Sequence, residues 1–359
     1  MSFRQKRSVL LISVVMLFLL SILDVFIRKE DVFQAFVEQF VNEEKTEAYI
    51  GERRAVTATA QLQSEINKPE IKEVLLTSQK GKISVQRSET STIRLQATVT
   101  VTAANTEVAN RRRDAVKVEQ ELQNGQLTFV TKANGKAIDS DYVSIDYVLA
   151  IPEMMKSTIE NEDGAVRISG INGNVTATST SGLMEIVNVK GDLKVKSSYG
   201  SLYMADIKGN VELVNRSSNA NMDRMQGNLV LDHQSGDTDL TDITGEVTGK
   251  TKYGSVFFRE MKGAVSVVGH GSDMKFDHIQ GDTQVVSNAG GNLTFILSKD
   301  EGYTLDAAVS AGRIQSLLSL PIQKGTENEF DTRMNGVLGK GTRKIEAKVA
   351  SGDIIFQVN

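Results

Sequence analysis

The sequence contains no cysteine and no tryptophan, and only 3 of its 359 residues are proline. The lack of cysteine excludes disulfides, thiolate catalysis and cysteine-ligated metals. The scarcity of proline, together with 29 glycines and many Val, Ile, Thr and Ser residues, favours β-strands joined by tight corners over helices. A net charge of −4 at pH 7 argues against nucleic acid as a partner.

Long apolar runs are also scarce, with one exception near the N-terminus. Residues 8–27 read SVLLISVVMLFLLSILDVFI and carry a single charge, at Asp24. This length suits one transmembrane helix. Three cationic residues lie in the preceding residues 1–7, which predicts a cytoplasmic tail, and no A-x-A cleavage site follows. We therefore expect a single-pass cell-membrane protein with an uncleaved signal-anchor and an extracytoplasmic C-terminal domain.

Residues 28–49 keep a helical period after this segment, with an apolar stripe opposite several glutamates. Three interpretations are open: a cap on the end of the following domain, a dimerising helix, and a helix lying on the membrane. The acidic face disfavours anionic lipid. We favour the cap, and the oligomeric state is left open.

Glycines recur at a fixed interval from residue 164 onward. Two columns, each with an 18-residue spacing, run in one register through Gly164, Gly182, Gly200, Ser218, Gly236, Gly254, Ser272 and Gly290, and through Gly173, Gly191, Gly209, Gly227, Gly245, Gly263 and Gly281. Apolar residues follow the same register at 2, 4, 7, 11 and 13 positions after the first column. A fixed period of this kind is typical of stacked repeats and is not expected of a globular sandwich.

The alternation within each half of the repeat predicts strands, and the glycines predict corners. The expected fold is all-β, a parallel β-helix or β-solenoid with 18-residue turns and internal apolar ladders. The inward positions do not recur every six residues, so a left-handed hexapeptide helix does not fit. A right-handed or flattened two-sided coil fits better.

The remaining chain divides around this repeat. Residues 50–160 alternate without the 18-residue period, which predicts irregular β-rich first turns, and Asn105–Asp114 is expected to be a solvated loop. Residues 161–312 form the regular repeat. Residues 313–359 are expected to be a closing segment, in which two strands at 342–358 close the stack.

Residues 145–204 resemble a bacterial family known as "putative adhesin", whose function is unknown. The resemblance rests on VLAIP at 148–152, on the S-G and Y-G corners at 181–182 and 199–200, and on VASGDIIF at 349–356. It extends over about residues 50–359 and departs from the family pattern at Asn219–Asn221 and Gly269–Ser272. It implies a membrane-anchored envelope role, with a relation to cell-envelope stress proteins, and implies no catalytic residue.

Few residues suggest chemistry. His233, His270 and His278 show no ligand spacing, and each is expected to be an outward or corner residue. No G-x-S-x-G element, P-loop or dinucleotide fingerprint occurs. We therefore predict no catalytic residue, no cofactor and no metal site.

Carboxylates offer two alternatives. Many β-helix proteins act on carbohydrate, and the acidic candidates are Asp237, Asp239, Asp242, Asp273, Asp277 and Asp282. The repeat, however, runs from 164 to 290 without the long loops that form a catalytic cleft. Gly-Asp pairs at 191–192, 236–237, 281–282 and 352–353 suggest calcium, but the Gly-Gly-x-Gly-x-Asp pattern is missing, and an aspartate that favours a turn is the simpler interpretation.

One outward face has a recognisable composition. It contains Tyr199, Tyr203 and Tyr253 with Lys194, Lys196, Lys250 and Lys252 on nearby turns. Such a face suits a cell-wall glycan or an envelope protein as partner, although ordinary outward strand composition is the better explanation of it. The sequence thus predicts a non-catalytic envelope binding or scaffolding protein, accessory to an envelope-stress response, with a polysaccharide lyase or hydrolase as the alternative.

Overall fold

The structure is a computed structural model that describes residues 56–138, 141–324 and 332–359. These residues are nearly all β, with 28 strands and a single helix, α1 (Thr106–Ala115). The strands are β1 (Val56–Ile66), β2 (Glu73–Lys80), β3 (Ile83–Arg87), β4 (Ile93–Ala103), β5 (Val116–Gln123), β6 (Gln126–Ala133), β7 (Lys136–Ala137), β8 (Val143–Ile151), β9 (Lys156–Asp163), β10 (Val166–Ser169), β11 (Val175–Ser181), β12 (Leu183–Lys190), β13 (Leu193–Lys208), β14 (Val211–Gln226), β15 (Leu229–His233), β16 (Asp237–Ile243), β17 (Val247–Thr251), β18 (Gly254–Arg259), β19 (Val265–Gly269), β20 (Ser272–Asp277), β21 (Thr283–Ser287), β22 (Leu293–Leu297), β23 (Tyr303–Ala311), β24 (Ile314–Ser316), β25 (Ile322–Lys324), β26 (Thr332–Leu338), β27 (Arg343–Ser351) and β28 (Ile354–Val358).

The chain divides into two compact units, of which the smaller comprises residues 1–58 and 101–113. Its described part contains most of α1, where the sequence had suggested a solvated loop. The helix forms because Asn105 caps it: its Oδ1 accepts a hydrogen bond from the Val108 backbone N–H at 2.9 Å. Val108 and Ala109 then bury one side of the helix in a small cluster with Ala58 and Ala103. The loop prediction is therefore wrong.

The larger unit comprises residues 59–100 and 114–359 and contains two series of parallel strands. In the first series β9, β11, β13, β14, β15, β17, β19 and β21 follow one another, and in the second series β10, β12, β13, β14, β16, β18 and β20 do so. Partners are 18 residues apart throughout, from Ser157 with Val175 to Gly269 with Ser287. This is the register that the glycine columns predict.

The predicted apolar columns lie in the interior. Phe258, Phe276, Phe295 and Phe356 stack with ring centroids 4.9, 4.9 and 5.2 Å apart, which matches the spacing of paired strands. The glycine corners pack equally closely. A Cβ on Gly182, where φ is +104°, would lie 2.3 Å from the carbonyl oxygen of Gly164, so only glycine fits there.

One glycine was assigned to the wrong column. A Cβ on Gly291 would meet the backbone of Ser272 at 2.1 Å, and Met274 pairs with Leu293, so the register advances by one residue here. Gly291 therefore occupies the corner that the period assigned to Gly290. The extra residue lies in the turn between β21 and β22.

Both ends of the two series are out of chain order. At the N-terminal end, β2 pairs with β9 on one side and β6 on the other, and β3 pairs with β10 and β8 in the same way. The strands β2 and β3 are therefore not the outermost ones, although they precede β6 and β8 in the chain. At the other end β27 pairs with β21 on one side and β23 on the other, and β28 lies likewise between β22 and β24. We expected residues 342–358 to close the stack. Instead β23 and β24 lie outside them, and β26 covers β23 as an antiparallel strand.

The membrane anchor predicted at residues 8–27 and the helix predicted at 28–49 lie outside the described residues. Within the described ranges, no helix is both long and apolar enough to cross a membrane.

Candidate functional site

A column of buried polar residues runs along the first strand series and the neighbouring β2, at the last inward position before each corner. All of its members except a glycine carry a polar side chain: Ser78, Asn161, Ser179, Ser197, Asn215, His233, Thr251, Gly269 and Ser287. Several of them bind the corner that follows: Ser179 donates to the carbonyl of Ser181 at 3.1 Å, and Ser287 to that of Gly290 at 2.6 Å. The column thus supplies hydrogen-bond donors to carbonyl groups at the corners.

His233 belongs to this column and is only 1% exposed, so its expected outward or corner position is wrong. Its Nε2 lies 2.9 Å from the carbonyl oxygen of Tyr253, and its Nδ1 lies 3.1 Å from Oγ1 of Thr238. A carbonyl can only accept, which makes Nε2 the protonated nitrogen and Nδ1 the acceptor. Burial lowers the pKa of His233 because the charged imidazolium loses its hydration.

His233 is part of a polar network around the corner at Ser218. Asn215 Nδ2 donates to Thr238 Oγ1 at 3.1 Å and to the Ser218 carbonyl at 2.8 Å. The hydroxyls of Ser197 and Ser218 are 2.7 Å apart. Ser218 replaces a corner glycine in this repeat, and the network fills the space behind it.

An open groove of about 480 Å³ lies on the outward side of the second strand series, in front of this network. It extends across four successive repeats, at residues 201–203, 219–221, 237–239 and 255–257. Tyr203 and Phe257 form its two ends. The middle repeats contribute Asn219, Asn221, Asp237 and Asp239.

The groove coincides with a change in the inward column behind it. This column contains Met184, Leu202, Val256 and Met274, but the two middle repeats have Ala220 and Thr238 instead. The outward side chains of the same two repeats are short amides and carboxylates. The surface is therefore lower between the two aromatic residues than at either end.

The groove residues differ in how firmly they are held. Asn219 Oδ1 accepts a hydrogen bond from the Asp237 backbone N–H at 3.1 Å. Phe257 lies against two cations, with Arg259 Cζ 4.5 Å and Lys275 Nζ 4.8 Å from its ring centroid. The buried Oδ1 of Asp239 has no hydrogen-bond partner among the described residues. Such an atom requires an explanation, since most buried polar atoms are paired.

No family model matches this sequence, and no curated protein matches it. Two solved structures are similar to it at low identity. A "putative cell adhesion protein" from Clostridium sporogenes is 10% identical, with 84% of this chain and 100% of that chain covered and a TM-score of 0.22. A "putative adhesin" from Bacteroides fragilis is 12% identical, with 83% and 97% covered and a TM-score of 0.27. Similarity this low assigns no function.

The structure separates the candidate carboxylates that the sequence brings together. Asp237 and Asp239 line the groove, whereas Asp242 lies elsewhere and pairs with Lys262 Nζ at 2.7 Å. Asp273 Oδ1 accepts from the backbone N–H of Asn292 at 2.7 Å, and Asp277 contacts the exposed His278 at 2.7 Å. His270 is also exposed, and its ring lies edge-on to Tyr253.

Three of the four aspartates of the Gly-Asp pairs accept hydrogen bonds from a neighbouring repeat. Asp192 Oδ1 accepts from the backbone N–H of Asn210 at 2.9 Å, Asp282 from that of Lys344 at 2.8 Å, and Asp353 from that of Arg313 at 2.9 Å. These oxygens bind the next repeat directly. Within the described residues, no group of three His, Cys, Asp or Glu side chains is arranged to hold a metal ion.

Of the predicted tyrosine and lysine face, only Tyr203 lines the groove. Tyr199 and Tyr253 are exposed at the corners, and Lys194 pairs with Glu212 at 3.0 Å on the first strand series. The sequence interpretation missed Phe257 and the asparagines. One feature of the sequence indicates their place. The inward apolar column is interrupted at Ala220 and Thr238, and Asn219–Asn221 also depart from the family pattern.

Proposed function

We propose that this chain is a single-pass membrane protein whose extracytoplasmic β-solenoid, with 18-residue turns, binds or scaffolds a cell-envelope component without catalysis. Residues 8–27 would anchor it, with residues 1–7 in the cytoplasm. The component would be a cell-wall glycan or an envelope protein. The relation to an envelope-stress response is part of the same proposal.

The groove is the single observation that carries the binding role. Its residues come from four consecutive repeats whose backbones are fixed by parallel pairing on both sides, from Leu202 with Ala220 to Thr238 with Val256. Rigid strands hold binding side chains more accurately than loops do. The two aromatic ends and the polar middle give it the composition of a recognition surface.

The same groove supports one alternative, a carbohydrate-active enzyme, because Asp237 and Asp239 both line it. A glycosidase needs one carboxyl group that is protonated at working pH and a second that is ionised. Asp237 is exposed on the outward side of its strand. The groove is also shallow, and among the residues that the structure describes no inserted loop between repeats covers it.

The test uses the full-length protein in detergent solution with isolated cell-wall and envelope fractions. Retention of the fractions is measured by co-sedimentation, and soluble product is measured in the same tubes. We expect retention without product. Product formation that is abolished by Asp237→Asn or Asp239→Asn would replace this proposal with the enzyme. The absence of both retention and product would reject binding and catalysis alike.

A further inference from the structure

We propose that the groove binds a linear, uncharged glycan, with sugar rings on Tyr203 and Phe257 and sugar hydroxyls on Asp237 and Asp239. This inference rests on the proposed binding function and specifies its ligand. It follows from the spacing, hydrogen-bonding capacity and charge of the groove residues.

The spacing favours an extended chain over a single sugar. Tyr203, Asn221, Asp239 and Phe257 occupy equivalent positions in successive turns, as their pairing shows. Neighbouring strands lie about 4.8 Å apart, so the two aromatic rings are separated by roughly 14 Å across the strands. A polymer that crosses the strands can touch both rings, whereas one monosaccharide cannot.

The hydrogen-bonding groups favour a ligand rich in hydroxyls. Ionised carboxylates only accept hydrogen bonds, and the amide of Asn221 both donates and accepts. Asp237 and Asp239 both line the groove, so their carboxylate oxygens can accept hydrogen bonds from the hydroxyls of a bound ligand. The aromatic ends complete the match, because the negative face of a ring attracts the weakly positive C–H groups of a sugar. At Phe257 a sugar would compete for the ring with Arg259 and Lys275, which lie 4.5 and 4.8 Å from its centroid.

The charge of the groove lining disfavours acidic polymers. Asp237 and Asp239 are the charged residues among the lining side chains, so the middle of the groove repels an anionic polymer, although Arg259 and Lys275 lie beside its Phe257 end. An extended peptide is also disfavoured as a ligand. Peptides that bind sheets as an added strand need an unpaired edge, and β14, β16 and β18 are each paired on both sides at the groove.

The test is an array of immobilised linear oligomers probed with the full-length protein. It contains uncharged oligomers of glucose, xylose and N-acetylglucosamine, oligomers of galacturonic acid, and an uncharged extended peptide. We expect binding to at least one uncharged oligosaccharide. Tyr203→Ala and Phe257→Ala should each weaken it at least tenfold, and Phe257→Tyr should restore most of the binding.

Tyr199→Ala is the matched control, because Tyr199 is 60% exposed in the same strand and does not line the groove. It should bind like the parent protein. Unchanged thermal unfolding of each variant separates lost binding from lost structure. Binding to the acidic oligomer or the peptide alone, binding to nothing, or equal losses for Tyr199→Ala and Tyr203→Ala would overturn the inference. Retention of envelope fractions together with an empty array would reject the glycan and leave the proposed binding function intact.

Discussion

At the scale of single residues, one position of the repeat has an unusual backbone. Asn188, Asp206, Arg224, Asp242, Glu260 and His278 lie 18 residues apart, and all have a left-handed backbone, with φ between 51° and 57°. Glycine is the residue that adopts this region without steric cost. These side chains are therefore tolerated at a backbone position that glycine would suit better. Some form ion pairs there, as Arg224 does with Asp206 at 2.7 Å.

Glu260→Gly should therefore stabilise the protein. Relief of the left-handed conformation is worth about 1–2 kcal/mol, and the greater freedom of glycine in the unfolded chain returns roughly 0.5–1 kcal/mol. The net expectation is a higher midpoint of urea unfolding. Gln226→Gly is the control, since Gln226 is an exposed strand residue without positive φ, and it should lower the midpoint. A lower midpoint for both would contradict the strain argument.

His233 makes stability depend on pH. Because burial lowers its folded-state pKa, the unfolded chain binds the proton more readily. The contribution of neutral His233 is therefore complete above the unfolded pKa of about 6.5 and is lost as pH falls through the folded value. His233→Thr copies the next repeat, where Thr251 holds this position, and should flatten the decline of melting temperature between about pH 7 and 5. His270→Thr, at an exposed histidine, should leave that decline unchanged.

At the scale of strands, the inward and outward assignments can be tested within one pair of neighbours. Ile207 is fully buried between Val189 and Met225, and Lys208 beside it is exposed. Ile207→Asp places an unpaired charge in an apolar ladder and should cost more than about 4 kcal/mol, enough to prevent folding of this region. Lys208→Asp should change the free energy of unfolding by less than about 0.5 kcal/mol. Similar losses for both would mean that the register is wrong.

The apolar ladders and the glycine corners could be predicted from sequence because each follows a strict 18-residue period. The buried polar column could not, although it has the same period. Serine, threonine and asparagine usually face solvent, and the corner carbonyls that they bind are visible only in the structure. The same expectation applies to His233, which the sequence predicts at an outward or corner position.

The groove was missed in a different way. Its asparagines and aspartates looked like ordinary outward strand residues, and Phe257 alternates with buried Val256 and Phe258. Short outward side chains from two neighbouring repeats lower the surface between Tyr203 and Phe257. Combinations across neighbouring strands depend on the pairing register, which must be known before they can be recognised.

At the scale of the whole molecule, membrane topology is open to a direct test. If residues 1–7 stay in the cytoplasm, protease added to protoplasts should digest residues 50–359 and spare the N-terminal tail. Antibodies against each part would report the result. Protection of the C-terminal domain in intact protoplasts, with digestion after lysis, would show that the proposed orientation is wrong.

The out-of-order arrangement of the last strands leads to another test. Removal of residues 343–359 takes away β27 and β28, which are the parallel partners of β23 and β24. Hydrogen exchange should then lose protection at residues 303–316, while the regular repeats at 164–290 keep theirs. Retained protection at 303–316 would show that these strands dock without the two that separate them from β21 and β22.

The same arrangement limits how a protein of this kind can lengthen. A copied repeat added after residue 359 would meet β27 and β28 with both edges already paired, and the N-terminal pair β2 and β3 is enclosed in the same way. An 18-residue duplication between residues 164 and 290, in contrast, finds a matching neighbour above and below. Gene duplication or design can therefore vary the number of repeats only between residues 164 and 290. The strand pairs at both ends stay the same whatever the number of repeats.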